Sequence, residues 1–371
     1  MDSLQTSQPT PVSQAADVSL LDKIPADQMT IIVTTSPVPS SPSPVLVQNT
    51  LESLPPALKD LPIVITFDSF KIAPEEKARL KRGKIPESLA ESYPEYIENV
   101  KRLFPGYSSE EKEIEGECYF KSYATGVTFL RMKTRQGFAF GVKEALDYVK
   151  TPYVLILQHD WLFTAPFPPI TTLFSIMKNE PEDVKYITFV SRHSMDYVHS
   201  RSHVFNFKYT FDEAVAMRKG RALETELQAC LHWFDRPHFC SIELYRKIFA
   251  LDILKRGDFI EDTFGTKYMN SICNALTRQG AFSEWKKFGA WMYYPNNGKD
   301  TALKHGSGRT NLLGTRQEEL IEHYKKTSCK RDKKKELAEK YGEQFVAERY
   351  GVAGLKKENN NENSDEEQND S

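Results

Sequence analysis

Three short apolar runs, each closing on a hydroxyl or an acid, constrain this chain more than any other feature. MTIIVTT (29–35), LPIVITFDS (61–69) and YVLILQHD (153–160) are rich in β-branched residues and stop at polar ones, as buried strands do. Between the first two, Val47, Leu51, Leu54 and Leu58 recur at helical steps. Before the third, Phe138, Val142, Ala145, Leu146 and Val149 form an amphipathic stripe that ends at Thr151-Pro152, where proline stops a helix. Strand, helix, strand, repeated, is the opening of a parallel α/β sheet. The expected fold class is therefore α/β: an open, mostly parallel twisted sheet with helices on both faces. YITFVS (186–191) reads as a further strand after a helix over TTLFSIMKN.

In such sheets ligands sit outside the carboxyl ends of the strands. Thr34, Asp68, Asp160 and Ser191 are thus expected to face one crevice. Asp160 is suited to hold a hard divalent cation through oxygen. By strand alternation Gln158 shares its side, and His159 points away into packing.

Composition narrows the partners. Lysine plus arginine (49) nearly balances aspartate plus glutamate (51) in 371 residues, so no overall field recommends nucleic acid. Cys118, Cys230, Cys240, Cys273 and Cys329 are widely spaced and form no CxxC pair, which fits buried free thiols rather than a disulfide framework or zinc ribbon. No stretch reaches eighteen apolar residues and the N-terminus has no secretory pattern, so no transmembrane segment and a cytoplasmic location are expected.

Residues 1–27, rich in Ser, Gln and Pro, read as a disordered leader, and 28–312 as the α/β domain. Within it, 70–120 is charged and broken by prolines, an insertion or lid with a helix around PEYIENVKRLF. Residues 313–352 read as a lysine-rich helical extension carrying Leu337, Tyr341 and Phe345 at spacings of four, and 353–371 as a disordered acidic tail.

Two later clusters carry chemistry. In RGDFIEDTFG (256–265), Asp258 and Glu261 fit a capping box, while Asp262 suits a general base. In YYPNNGKDTALKHGSGR, His305 stands among glycines beside Lys304 and Arg309; an imidazole there can complete a metal shell begun by Asp160, and a glycine-rich loop bearing a cation can close over a diphosphate. Trp233 is a candidate sugar contact, with core packing the competing reading. His193, His199 and His203 would form a metal site only if 199–203 were helical.

The ordered set IIVTTS, VITFDS, KTRQGFAFGVKEAL, YVLILQHD and GDFIEDTFG resembles a GT-A glycosyltransferase of the inverting family 2 type, over roughly residues 28–310. The resemblance implies that Thr34 and Asp68 contact the nucleotide base and ribose, with Arg135 near the nucleotide. It implies that Asp160 ends the metal-binding DxD motif, that Glu261-Asp262 is the catalytic ED pair with Asp262 as base, and that His305 lies on the metal or diphosphate. The cofactor set it implies is Mn or Mg with a nucleoside-diphosphate sugar, a UDP-sugar first; the acceptor, whether glycan, protein or lipid, stays open. The departure is Gln158, which stands where a DxD motif has its first acid, making the motif degenerate. Two other readings stand beside it: a non-catalytic scaffold or carbohydrate-binding protein of this fold, for which Gln158 speaks, or a sugar-nucleotide nucleotidyltransferase, which would share the strand-end acids. The last should carry a glycine- and lysine-rich phosphate loop after the first strand, where this chain has SPVPSSPSP.

Overall fold

The computed structural model describes residues 23–308; Arg309, the 313–352 extension and the 353–371 tail lie outside them. The strands are β1 (Met29–Thr35), β2 (Ile63–Phe67), β3 (Lys71–Ile72), β4 (Lys84–Ile85), β5 (Lys112–Glu113), β6 (Tyr119–Ala124), β7 (Val127–Met132), β8 (Tyr153–Gln158), β9 (Trp161–Phe163), β10 (Tyr186–Phe189), β11 (Leu227–Ala229), β12 (His238–Ser241), β13 (Ala290–Tyr293) and β14 (Leu303–His305). The helices are α1 (Val45–Glu52), α2 (Glu87–Lys101), α3 (Gly137–Leu146), α4 (Ile170–Asn179), α5 (Tyr197–Arg201), α6 (Phe205–Arg218), α7 (Ile242–Ala250), α8 (Thr266–Cys273) and α9 (Arg278–Lys286).

Ten strands make one sheet in the order β11-β13-β10-β12-β8-β1-β2-β7-β6-β5. The expected α/β architecture is present: β8, β1, β2 and β7 are mutually parallel, as are β10 and β13. Val33 stands between Ile65 on β2 and Leu157 on β8, all three shut off from solvent. Every residue of β1 from Met29 to Val33 is buried, so both faces of the sheet are covered here, as a parallel strand requires. Each such side chain contributes about 1.5–3 kcal/mol of burial. Helix α3 packs on β1 and β2 through Phe138, Ala139, Val142, Ala145 and Leu146, the stripe expected there.

Local departures have local causes. Helix α1 stops at Glu52 because Pro55-Pro56 follows; Leu54 and Leu58 are buried beyond its end. Residues 112–124 are not part of a lid: β5 and β6 extend the main sheet, with β6 returning to β7 through Thr125-Gly126. Gly126 sits at φ +72, a conformation open to glycine. The rest of the insertion holds the small β3–β4 sheet and α2, whose Tyr93 hydroxyl donates to the Asp68 carbonyl at 2.9 Å and steadies the end of β2. Strand β12 runs antiparallel between β8 and β10. Ile24, inside the expected leader, is buried. Among the described residues no helix is long and apolar enough to cross a membrane, and Cys118, Cys230, Cys240 and Cys273 are free thiols.

Candidate active site

The chain winds outward from β1 through β2 to β7, then returns to the other side of β1 with β8. Connections leave β1 and β8 in opposite directions, and a crevice opens beyond their carboxyl ends, the switch point of an open α/β sheet. A cleft with about 890 Å³ of free volume, open to solvent, lies there. Thr34, Asp68, Arg135, Gln158 and Asp160 all line it, joined by Lys81 from the insertion. Ser191 does not. Its hydroxyl accepts from the buried Arg236 guanidinium at 3.0 Å, because β12 separates β10 from β8 and carries the end of β10 away from the crevice.

Asp68 ties β2 to the start of α3. Its Oδ1 accepts the amides of Ser69 (2.9 Å) and Gln136 (2.7 Å), and its Oδ2 accepts that of Gly137 (2.9 Å). Burial raises its carboxyl above the usual range against the pull of these amides and of Arg135. Two lone pairs per oxygen leave Oδ2 room for one further donor, such as a ribose hydroxyl.

The Asp160–His305 pair is built by backbone register. Strands β9 and β14 are antiparallel with His305 opposite Trp161, and the Gly306 amide donates to the Asp160 carbonyl at 2.6 Å. This brings His305 Nε2 to 3.2 Å from Asp160 Oδ2, while the Gly308 amide donates to the same oxygen at 3.1 Å. Burial alone would raise the Asp160 carboxyl. The bond from His305, the nearby His159 and the Gly308 amide hold it well below the usual carboxylate range instead. A carboxylate and an imidazole converging this way fit a divalent cation whose other ligands come from substrate phosphates and water. Among the described residues there is no group of three or more His, Cys, Asp or Glu that could hold a metal by itself. His159, expected to face away, lines the cleft as well and accepts the Ser36 amide at 3.4 Å through Nδ1.

Gln158 has a structural reason to be an amide. Its Nε2 donates to the backbone carbonyl of Asp235 at 3.0 Å; an ionised acid there would face that carbonyl with no proton to offer. Gln158→Glu is expected to cost about 1–3 kcal/mol near pH 7.5 and less near pH 5, where a protonated glutamic acid donates again. Thermal unfolding at both pH values checks this, and equal stability of the two proteins at pH 7.5 would refute it.

The ED segment folds as a π-helical turn, Glu261–Gly265, running into α8, a geometry that often accompanies functional sites. Its two acids diverge. Asp262 is exposed and has the Lys81 ammonium 3.9 Å away. Glu261 turns inward: the Asp235 amide donates to its Oε2 and its own amide donates to Asp235 Oδ1, both at 3.2 Å. Burial and then the charge of Glu261 push the Asp235 carboxyl well above the usual range, and burial raises Glu261 too. Glu261 and Asp262 do not line the cleft that holds Asp160; Asp262 lines an adjoining one that shares Lys81, Arg135 and Phe259 with it, and Glu261 lines neither. Lys81 carries no mark in the sequence that would single it out, whereas Asp235 follows Trp233 and Phe234 as a polar group suited to sugar recognition and Phe259 lies between the acids of the GDFIED segment.

Trp233 is fully buried among Tyr186, His238, Tyr245 and Phe264, so it is core and not a sugar platform. His199 lies in α5, whereas His203 follows that helix, and the two do not share a helical face.

No protein-family model and no curated protein sequence matches the chain. Among solved structures it is similar to a mannosyltransferase of Pyrobaculum calidifontis in complex with GDP-Man and Mn2+, at 13% identity and TM-score 0.35 over 74% of this chain and 60% of that one. It is similar to CMP:2-keto-3-deoxy-manno-octonic acid synthetase complexed with CTP, at 9% identity and TM-score 0.33 over 66% of this chain and 87% of that one. A third is glucosyl-3-phosphoglycerate synthase of Mycobacterium tuberculosis with Mn2+, UDP and glucosyl-3-phosphoglycerate, at 8% identity and TM-score 0.28 over 59% and 58%. The chain thus spans less than two thirds of the mannosyltransferase. At these scores the fold stands on the strand order, and the likenesses add similarity only.

Proposed function

We propose that the chain is a glycosyltransferase that moves a sugar from a nucleoside-diphosphate donor, a UDP-sugar first, to an acceptor hydroxyl with inversion. The observation that carries this reading is the convergence of Thr34, Asp68, Arg135, Gln158 and Asp160 at the sheet's switch point, with Asp262 on the adjoining wall. Thr34 and Asp68 hold base and ribose. Arg135 lies against the nucleotide's anionic side, where a fixed guanidinium is worth more than in water. Asp160 and His305 would hold Mn or Mg, and a cation there supplies positive charge to the departing diphosphate. Asp262 takes the proton of the acceptor hydroxyl as its oxygen bonds to the anomeric carbon and the bond from that carbon to the diphosphate breaks. Attack from the face opposite the leaving group inverts the centre.

Titration of the protein with UDP and GDP, with and without manganese, tests the donor site. One nucleotide is expected to bind in a metal-dependent way, and Asp160→Ala to lose that dependence with at least about tenfold weaker affinity. No binding of either nucleotide under any condition would overturn the reading in favour of a non-catalytic scaffold, the alternative that the neutral Gln158 favours.

A further inference from the structure

Beside the nucleotide cleft lies a second one that contains neither Asp68 nor Asp160 in its wall. Lys71, Lys81, Arg82, Lys84, Arg135 and Arg256 line it, against two acids, Asp258 and Asp262. Asp258 is engaged locally, its Oδ2 accepting the Lys255 amide at 2.9 Å and the Thr263 hydroxyl at 3.4 Å. The cations are held together by the fold. Lys71 and Lys84 are direct partners in the parallel β3–β4 pair and both are exposed. Like charges placed opposite one another in a sheet cost stability unless an anion offsets them. Among the described residues none of Lys71, Arg82, Lys84, Arg135 and Arg256 has a carboxylate within ion-pair distance.

One of the six is fixed more tightly than a surface cation. Arg135 lies between two glycines from separate loops. A Cβ on Gly83 would stand 2.3 Å from Arg135 Nε, and one on Gly257 2.3 Å from its Nη1. Both glycines have positive φ, +60 and +92. Arg135 Nε is buried without a hydrogen-bond partner, so packing fixes the guanidinium, with Asp68 acting on it only from beyond ion-pair distance. A planar donor pre-set in this way, ringed by ammonium groups, matches a phosphate.

We propose that this second cleft binds the phosphate of a phosphorylated acceptor, a phosphomonoester that also carries a free hydroxyl. The acceptor role rests on the donor reading above. Asp262 lines the same cleft and is exposed, so an acceptor anchored by its phosphate presents its hydroxyl to that carboxylate. The hydroxyl oxygen bonds to the anomeric carbon, its proton goes to Asp262, the nucleoside diphosphate departs, and the acceptor's own phosphate ester is untouched. A neutral glycan would gain nothing from this many cations.

The test is titration of the full chain with glycerol phosphate, alone and with saturating UDP and manganese, at low and high salt. Binding is expected to persist with UDP present, to weaken with salt, and to fall about tenfold or more in Lys71→Gln/Lys84→Gln and in Arg82→Gln/Arg256→Gln, with UDP affinity unchanged and circular dichroism showing intact folds. Displacement of glycerol phosphate by UDP would place the anion in the donor cleft and overturn the proposal, as would no binding or equal affinity in both double variants. Binding that behaves as expected in a protein that takes no nucleotide would remove the acceptor role along with the donor reading and leave the phosphate site standing.

Discussion

Asp262→Asn is expected to lower turnover of the sugar nucleotide by about 10²–10⁴-fold while leaving Tm and nucleotide affinity where they were. The separation follows from the side chain's position. Asp262 is exposed, with only a distant ion pair to Lys81 at 3.9 Å, and such a contact contributes about 0–1 kcal/mol. Asparagine has the same shape and keeps the π-helical turn, whose inward anchor is Glu261 through its two bonds to Asp235. What it lacks is a lone pair basic enough to take a proton. Release of UDP from a UDP-sugar, followed in steady state beside a calorimetric titration, reads both quantities. Turnover equal to that of the parent would remove Asp262 as the base, and a parallel loss of UDP affinity would make it a binding residue.

Gly137→Ala is expected to cost about 2–5 kcal/mol and to lower Tm by about 3–8 °C. Gly137 has φ +75, which alone costs an alanine about 1–2 kcal/mol. A Cβ there would also lie 2.5 Å from the Cα of Gly257, backbone that yields only by moving the Arg256–Gly257 loop, an overlap worth about 1–3 kcal/mol. The Gly137 amide is one of the three that hold Asp68, so nucleotide affinity is expected to drop as well. Gly126→Ala is the control: it has φ +72 with nothing within 4 Å of its Cβ, and it pays the conformational cost alone. Equal Tm losses for the two variants would show that the contact with Gly257 yields freely.

The sequence made the crevice legible because parallel strands deliver their carboxyl ends to one edge whatever the helices do. Thr34, Asp68, Gln158 and Asp160 are in the cleft for that reason. His305 was legible as a histidine among glycines, though its meeting with Asp160 depends on the β9–β14 register. Ser191 was misplaced because nothing in HFCS marks a strand that inserts antiparallel between β8 and β10. Trp233 was ambiguous because an aromatic ring suits a core and a sugar face equally, and tertiary packing alone decides. The pairing of Asp235 with Glu261 stayed hidden for a related reason: Glu261 lies in a turn whose approach is set by long-range packing and by no local spacing. Strands β5 and β6, which extend the sheet at its end, were submerged in charged sequence, since strands near an edge need few apolar residues.

The late arrival of β12 has a consequence for the chain as it is made. Strand β8 ends at residue 158, but the strand that covers its outer edge begins at 238. On a ribosome adding about 5–20 residues per second, β8 waits several seconds with a row of open amide and carbonyl groups. The run YVLIL is the kind of edge on which other chains aggregate, so the nascent half-sheet is the stage at which this protein is expected to depend most on chaperones.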